Sequence, residues 1–132
     1  MANAPKLALV LMSPELEKLH AAAMMGSVAA TSGMDVNIFV TMGATKMFRK
    51  DTVEKQDFVF TEMGKVILEK KVDLYYKMLE DAKELGELKV YICALAADLM
   101  GWKREDFLDM IEDVVGVVAF FGMAEGAQIV TV

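Results

Sequence analysis

The sequence has a single cysteine, Cys93, among its 132 residues. One cysteine cannot form a disulfide within the chain, so the sequence excludes a secreted disulfide scaffold and favours a reducing cytoplasm as the location. It also excludes a C-x-x-C dithiol cycle, because no second thiol of the chain can resolve an intermediate. Any chemistry of Cys93 must therefore end on another molecule, as a persulfide, a thiosulfonate or a mixed disulfide.

Long apolar runs are missing as well. The longest run, 114–123, contains two glycines and is about half of the roughly 18 to 20 residues that a membrane-spanning helix needs. The N-terminal stretch lacks a basic region and fits a first strand better than a signal peptide. We therefore expect neither a leader nor a membrane span.

An excess of basic residues and the common nucleotide motifs are also absent. The net charge is −6, which argues against sequence-independent nucleic-acid binding because such binding needs a basic face. Neither G-x-G-x-x-G nor G-x-x-x-x-G-K-[ST] occurs, so neither nucleotide-binding fingerprint is present, and we expect no cofactor.

The composition is that of a globular protein. Hydrophobic residues make up 55% and charged residues 26% of the chain, and no linker or repeat interrupts it. The length suits one domain spanning residues 1–132. Methionine is an adaptable packing residue, so we interpret most of the twelve methionines as core or subunit-interface residues.

Apolar strands alternate with helical segments along the chain. Strands are predicted at 6–12, 34–42, 88–94, 113–115 and 128–132. A first helix is predicted from Ser13-Pro14-Glu15 to Gly33, with Ser13 as the N-cap. A second is predicted over 72–85, with Leu85 on the apolar face. Further helices are predicted after Cys93, from Glu105-Asp106 through Ile111, and over 117–126. Segment 43–71 shows no clean period. The alternation predicts an α/β fold with a mainly parallel five-stranded sheet and helices on both faces.

The ligand site of such a sheet lies beyond the carboxyl ends of its strands. Three loops are expected to converge there, each following one of the first three strands. They contribute Ser13, Gly43 with Ala44, and Cys93.

Cys93 ends a strand and opens the helical stretch ALAADLMG. Backbone amides at Ala94, Leu95 and Ala96 would favour the thiolate and hold an anionic sulfur group of a substrate. A buried, inert cysteine is the alternative interpretation, because free cysteine is among the most buried residue types.

Two further candidates carry less weight. His20 has no Cys, His or acidic partner at ligand spacing, so it indicates a packed or surface histidine and no metal site. The basic residues Lys46, Arg49 and Lys50 follow the second strand and can attract an anion towards Cys93, or form a solvated basic loop.

Several short motifs, in their order and spacing, resemble the DsrE/DsrF/TusD-like sulfur-relay family, in its DsrE-like branch. They are Ile92-Cys93-Ala94, Asp98-Leu99-Met100-Gly101-Trp102, Glu105-Asp106-Phe107, Ile38 through Gly43, and the ending from Ala119-Phe120 through Ala127 to Val130. The "peroxiredoxin family" label given to this branch fits poorly, because residues 90–93 read VYIC and no T-x-x-C motif is present.

The resemblance implies a flavodoxin-like (DsrEFH-like) domain that assembles into homo-oligomers, commonly trimers or hexamers. It also implies that Cys93 accepts a sulfane sulfur or thiosulfonate group and hands it to a partner such as a TusA-like sulfur carrier. No general base carries over. We therefore expect a cytoplasmic sulfurtransferase or sulfur carrier. The alternatives are a non-catalytic structural subunit of such an oligomer and, on fold analogy alone, a small-ligand or nucleotide-binding module.

Overall fold

The computed structural model describes residues 4–132. The strands are β1 (Lys6–Leu11), β2 (Asp35–Val40), β3 (Leu88–Cys93), β4 (Asp113–Val115) and β5 (Gln128–Thr131). The α-helices are α1 (Leu16–Thr31), α2 (Lys50–Lys55), α3 (Glu62–Glu69), α4 (Tyr75–Leu85), α5 (Ala94–Met100) and α6 (Val117–Met123), with 3-10 segments at Met42–Phe48 and Arg104–Asp106. All five predicted strands are confirmed.

The five strands form one parallel sheet in the order β4-β3-β2-β1-β5. The chain moves outward from β1 to β4 and then returns through α6 to place β5 on the other side of β1. The strand order thus reverses at β1, and in open α/β sheets ligands bind beyond the carboxyl ends of the strands at such a point. The predicted flavodoxin-like α/β class is confirmed.

One face of the sheet packs against α1 and α4. Leu9, Ile38 and Val90 lie in the middle of their strands on this face and are fully buried in the main hydrophobic cluster. Helix α1 approaches closely at Gly26, where a Cβ atom would lie 3.3 Å from the Leu9 side chain. Small residues in α1 therefore allow a close helix–sheet contact.

The opposite face carries a smaller cluster that includes Ala8, Phe39 and Tyr91 from the sheet and Phe120 from α6. Because strand residues alternate between faces, Cys93 lies on this side, two residues after Tyr91. Helices thus cover both faces, as predicted.

The predicted Ser13 N-cap is wrong. Helix α1 begins at Leu16 with Glu15 as the N-cap residue, and no side chain caps it. The Ser13 hydroxyl instead accepts a hydrogen bond from the Glu15 amide. The Leu16 amide donates to the carbonyl oxygen of Val59 at 2.9 Å, so a segment distant in sequence satisfies the helix start that Ser13 was expected to satisfy.

Segment 43–71 folds into short helical pieces. They are too short to show a period, since α2 has six residues and α3 has eight. The Thr61 hydroxyl caps α3 by accepting from the Gly64 amide at 3.1 Å. Phe48 and Phe58 are buried against Tyr75 and tie this segment to α4.

The helix predicted from Glu105 onward is wrong beyond its first turn. Only Arg104–Asp106 is helical, as a 3-10 turn. The Leu108 amide donates to the Phe48 carbonyl, and Phe107 forms an antiparallel bridge with Arg49, so pairing with the end of the 3-10 segment replaces the helix. Leu85, predicted on the buried face of α4, is 75% exposed because it is the last residue of that helix.

Candidate functional site

A cavity of about 410 Å³ lies at the carboxyl edge of the sheet, and Cys93 lines it. We call it the Cys93 cavity. The other lining residues come from the ends of β1 and β2, from α5 and from α6: Val10, Met12, Phe39, Thr41, Met42, Leu95, Gly116, Val117, Phe120 and Phe121.

Cys93 is the last residue of β3 and the residue that precedes α5. It pairs with Val115 of β4, and only 6% of its surface is exposed. Its thiol is free, since it is the one cysteine of the chain. The structure therefore places the sulfur atom at the wall of a small cavity next to the point where the sheet ends.

The walls of the cavity are almost wholly apolar. Thr41, at the end of β2, supplies the only side-chain hydroxyl of the lining, and none of the lining residues within the described part of the chain is charged. Thr41 is 7% exposed, and within residues 4–132 its hydroxyl makes no hydrogen bond. Cys93 thus shares its cavity with one polar group that has capacity for a ligand.

Helix α6 supplies the wall opposite the sheet. Phe120 is 1% exposed, and its ring stacks on that of Phe39 with centroids 4.7 Å apart. The next residue, Phe121, is 61% exposed, and Val117, one turn earlier, is 48% exposed. The inner residue of α6 therefore fixes the helix, and its outer residues form the rim of the cavity.

A second cavity of about 540 Å³ lies next to the first, and Met42 lines both. Met42 has a left-handed backbone with φ of 50°, which is uncommon outside glycine. The second cavity is lined by Pro14, Met42, Gly43, Lys46, Met47, Val59, Ala96, Leu99, Met100 and Trp102.

The predicted substrate-binding residues do not converge on one cavity. Leu95 lines the Cys93 cavity, whereas Gly43 and Ala96 line the second one. Ser13, Ala44 and Ala94 belong to the lining of neither. Ala44 is fully buried in the main hydrophobic cluster, and the Ser13 hydroxyl is occupied by the Glu15 amide.

The basic residues after β2 are paired with other groups. Lys46 bonds to Asp57 at 2.8 Å, and this bond and the lysine charge lower the pKa of the Asp57 carboxyl. Lys50 lies 3.3 Å from Asp109. The guanidinium of Arg49 lies 4.5 Å from the centre of the Trp102 ring. None of the three lines the Cys93 cavity. Lys46 and Lys50 are exposed, which fits the solvated interpretation, whereas Arg49 is half-buried and its Nε atom is buried without a hydrogen-bond partner among the described residues.

His20 lies within α1 and does not line the Cys93 cavity. Its Nδ1 atom is buried and has no hydrogen-bond partner among the described residues. In residues 4–132 no three His, Cys, Asp or Glu side chains are grouped to hold a metal ion. No helix of this part of the chain is both long and apolar enough to cross a membrane.

The sequence interpretation missed the contributions of α6 and of the last residues of β1 and β2. Two signals were available. Strand alternation places Phe39 and Thr41 on the same face as Tyr91 and Cys93. The loop at Gly116 is also a carboxyl-end loop, because it follows β4, and it leads directly into the apolar helix that carries Phe120.

The fold and the site define an α/β protein with one buried cysteine at the carboxyl edge of a parallel sheet. The model of the DsrE/DsrF/DrsH-like family matches residues 53–131, a span that includes Cys93 and α6. Because this is more than half of the chain, the protein belongs to the DsrE/DsrF/DrsH-like family.

A solved protein of unknown function from Methanobacterium thermoautotrophicum has a similar structure. The TM-score is 0.68 at 12% sequence identity, over 97% of this chain and 99% of that chain. At this identity the likeness shows a shared fold. Among curated proteins, none matches this chain.

Proposed function

We propose that the protein is a sulfurtransferase or sulfur carrier in which Cys93 accepts a sulfane sulfur or thiosulfonate group and passes it to a partner protein. The observation that carries the proposal is the position of Cys93 in the wall of a cavity at the carboxyl edge of the sheet. Membership of the DsrE/DsrF/DrsH-like family supports a role in sulfur relay.

The loading step is a thiol exchange on sulfur. The Cys93 thiolate attacks the outer sulfur of a donor R–S–SH, a bond forms between Sγ and that sulfur, and the S–S bond between the inner and outer sulfur atoms of the donor breaks. The electron pair leaves with RS⁻, and Cys93 becomes a persulfide with no net oxidant or reductant required. The absence of a second thiol in the chain means that release must be intermolecular, by attack of a partner's thiolate on the outer sulfur.

The cavity next to Cys93 suits a carrier. A persulfide held in an apolar cavity is shielded from free thiols and oxidants in bulk water, while the exposed rim at Leu95, Val117 and Phe121 lets a partner approach. The backbone amides of Ala94, Leu95 and Ala96 are proposed to stabilise the thiolate or the bound sulfur group, since the first turn of a helix leaves its amides without helical partners. The loops at Ser13, Gly43 and Ala44 would serve only to shape the surroundings.

The partner and the assembly belong to the same proposal. We propose a cytoplasmic homo-oligomer, a trimer or hexamer, that delivers sulfur to a TusA-like carrier protein. Exposed apolar side chains surround the carboxyl edge, which is typical of an interaction surface. They include Met12, Met42, Leu95, Leu99, Met100, Val117 and Phe121.

Release of sulfur tests the carrier role. Protein loaded with polysulfide and freed of excess donor is mixed with a reduced acceptor thiol protein, and both chains are weighed by mass spectrometry. We expect the sulfur atom to leave Cys93 and appear on the acceptor. A sulfur that stays on Cys93 in the presence of every acceptor thiol tried argues against a carrier.

A non-catalytic structural subunit is the second candidate, and the low exposure of Cys93, 6%, is the observation that favours it. Thiol titration separates the two. A Cys93 that reacts with a thiol reagent only after unfolding supports the structural role, whereas reaction in the folded protein supports the carrier.

A further inference from the structure

We propose that the Cys93 cavity selects sulfur donors with an uncharged, apolar organic tail, and that the Thr41 hydroxyl hydrogen-bonds the reacting sulfur group. The inference rests on the proposed function and specifies its donor. It concerns a small-molecule site, and the chemical class is an organic persulfide or related sulfane-sulfur compound.

The lining of the cavity carries the first part of the inference. Its walls are the side chains of Val10, Met12, Phe39 and Phe120 with the rim residue Phe121. An anionic donor such as thiosulfate would lose its hydration in the cavity, and none of the lining residues in the described chain carries a positive charge to compensate. Burial of an unpaired charge is unfavourable. An apolar tail gains free energy by the same transfer.

The dimensions agree with a small organic donor. A volume of about 410 Å³ falls within the range of roughly 300 to 1,000 Å³ that small-molecule sites occupy. The aromatic wall formed by Phe39 and Phe120 offers a surface for a ring or a short alkyl chain.

The position of Thr41 supports a hydrogen bond from its hydroxyl to the reacting sulfur group. Val40 pairs with Ile92 in the β2–β3 register, so Thr41 and Cys93 are the next residues along two adjacent strands, on the same face. Thr41 is more than nine-tenths buried and lines the cavity, yet its hydroxyl has no hydrogen-bond partner in residues 4–132. The fully buried side-chain atoms without a hydrogen-bond partner in residues 4–132 lie on His20, Thr45 and Arg49, so the unpartnered Thr41 hydroxyl is accessible and can bind a ligand.

In the transfer step the Cys93 thiolate attacks the outer sulfur of R–S–SH while the apolar R group occupies the cavity. The bond between Sγ and the outer sulfur forms, the S–S bond of the donor breaks, and RS⁻ carries away the electron pair. A hydrogen bond from Thr41 to the departing sulfur stabilises the negative charge that develops there, because a donor near a developing charge is most effective where water is excluded.

Tail selection is measured on the full chain without any sulfur transfer. Two methanethiosulfonate reagents, one with a benzyl tail and one with an anionic sulfonatoethyl tail, each form a mixed disulfide on Cys93 and release methanesulfinate. Each rate is divided by the rate for a free small thiol, which removes intrinsic reactivity. We expect the normalised benzyl rate to exceed the sulfonatoethyl rate by at least about tenfold. Equal rates, or a faster anionic reagent, overturn the proposal.

Two matched variants locate the selection. Phe121→Glu places a carboxylate in the lining and is expected to reduce the benzyl preference severalfold. Val118→Glu adds the same charge on the same helix, at a position that is 80% exposed and outside the lining, and is expected to leave the ratio unchanged. A ratio that responds equally to both substitutions assigns the selection to net charge and overturns the cavity as its source.

Thr41→Val removes the hydroxyl and keeps the shape. Sulfur uptake from benzyl persulfide is expected to slow about tenfold, with the benzyl preference retained, and Thr41→Ser is expected to restore the rate. Uptake at the wild-type rate in Thr41→Val overturns the role of the hydroxyl.

The outcomes also separate this inference from the proposed function. Sulfur uptake on Cys93 from polysulfide without a benzyl preference overturns apolar-tail selection and leaves the carrier function standing. A benzyl preference without sulfur uptake from any donor overturns the carrier function instead. A Cys93 that reacts with neither reagent in the folded protein overturns both.

Discussion

The rings of Phe39 and Phe120 stack with centroids 4.7 Å apart and planes inclined by 18°. One ring belongs to the central strand β2 and the other to α6 near the end of the chain. The stack therefore joins two segments distant in sequence and forms the wall of the cavity that contains Cys93. The geometry of the proposed site depends on this contact.

Truncation of Phe120 is expected to loosen α6 from the sheet. Phe120→Ala removes a side chain that is 1% exposed, and such changes typically cost about 3 to 5 kcal/mol of unfolding free energy. Chemical denaturation measures the loss. Phe121→Ala, at an exposed neighbouring position, serves as the control with an expected cost of about 1 kcal/mol or less. Equal effects of the two substitutions would show that the stack does not anchor α6.

Tyr75 ties α4 to the 3-10 segment that follows β2. Its buried hydroxyl donates to the carbonyl oxygen of Met47, and burial raises the pKa of Tyr75 far above its ordinary value, so the donor stays protonated throughout the usual pH range. Tyr75→Phe leaves the carbonyl without this donor, at an expected cost of about 1 to 3 kcal/mol. Urea denaturation of this variant and of Tyr76→Phe, which is half-buried, is the measurement. A Tyr75→Phe protein as stable as the wild type would contradict the structure here.

Gly86 lies where α4 ends against α1. A Cβ atom at this position would be 2.5 Å from the carbonyl oxygen of Ala30, so Gly86→Ala must displace one of the two helices. We expect a loss of about 1 to 3 kcal/mol in unfolding free energy. Gly122 in α6 has open space around it, and Gly122→Ala is expected to stabilise the protein by about 0.5 to 1 kcal/mol. Thermal unfolding of both variants checks these opposite signs, and a shift of the same sign for both would refute the contact at Gly86.

The Lys46–Asp57 pair is expected to produce a small pH dependence. Since the folded pKa of Asp57 lies below its ordinary value of 3.8, the pair stabilises the fold above that value, and its contribution disappears as the pH falls through the folded pKa. Lys46→Met is expected to raise the pKa of the Asp57 carboxyl towards its ordinary value, as measured by NMR titration. Lys50→Met, which removes the partner of Asp109, should leave Asp57 unaltered. An unchanged Asp57 titration in Lys46→Met would mean that the pair does not persist in solution.

The strands and the parallel sheet were predictable because buried parallel strands are continuous apolar runs, as at 6–12 and 88–94. The position of Cys93 at a carboxyl end followed from the same logic. Features that depend on distant partners were not predictable. The Leu16 amide at the start of α1 bonds to the carbonyl oxygen of Val59, a residue more than forty positions later. The chain after Asp106 pairs with Phe48 and Arg49 instead of continuing as a helix.

The walls of the Cys93 cavity also depend on residues that are distant in sequence, so they were not predictable. Phe120 lines the Cys93 cavity only because α6 crosses back over the sheet to place β5 beside β1. Local patterning predicted a helix there and did not indicate what the helix covers. The short pieces within 43–71 escaped prediction for a different reason, since six to eight residues give too few turns to reveal a period.

The location of sulfur after loading tests whether Cys93 is the sulfur acceptor. Folded protein is incubated with polysulfide, alkylated, digested and analysed by mass spectrometry, with Cys93→Ser as the control. We expect added sulfur on the peptide that contains Cys93, in at most one site per chain, and none in Cys93→Ser. A folded protein in which Cys93 gains no sulfur, while the same cysteine in the unfolded chain does, would contradict this expectation.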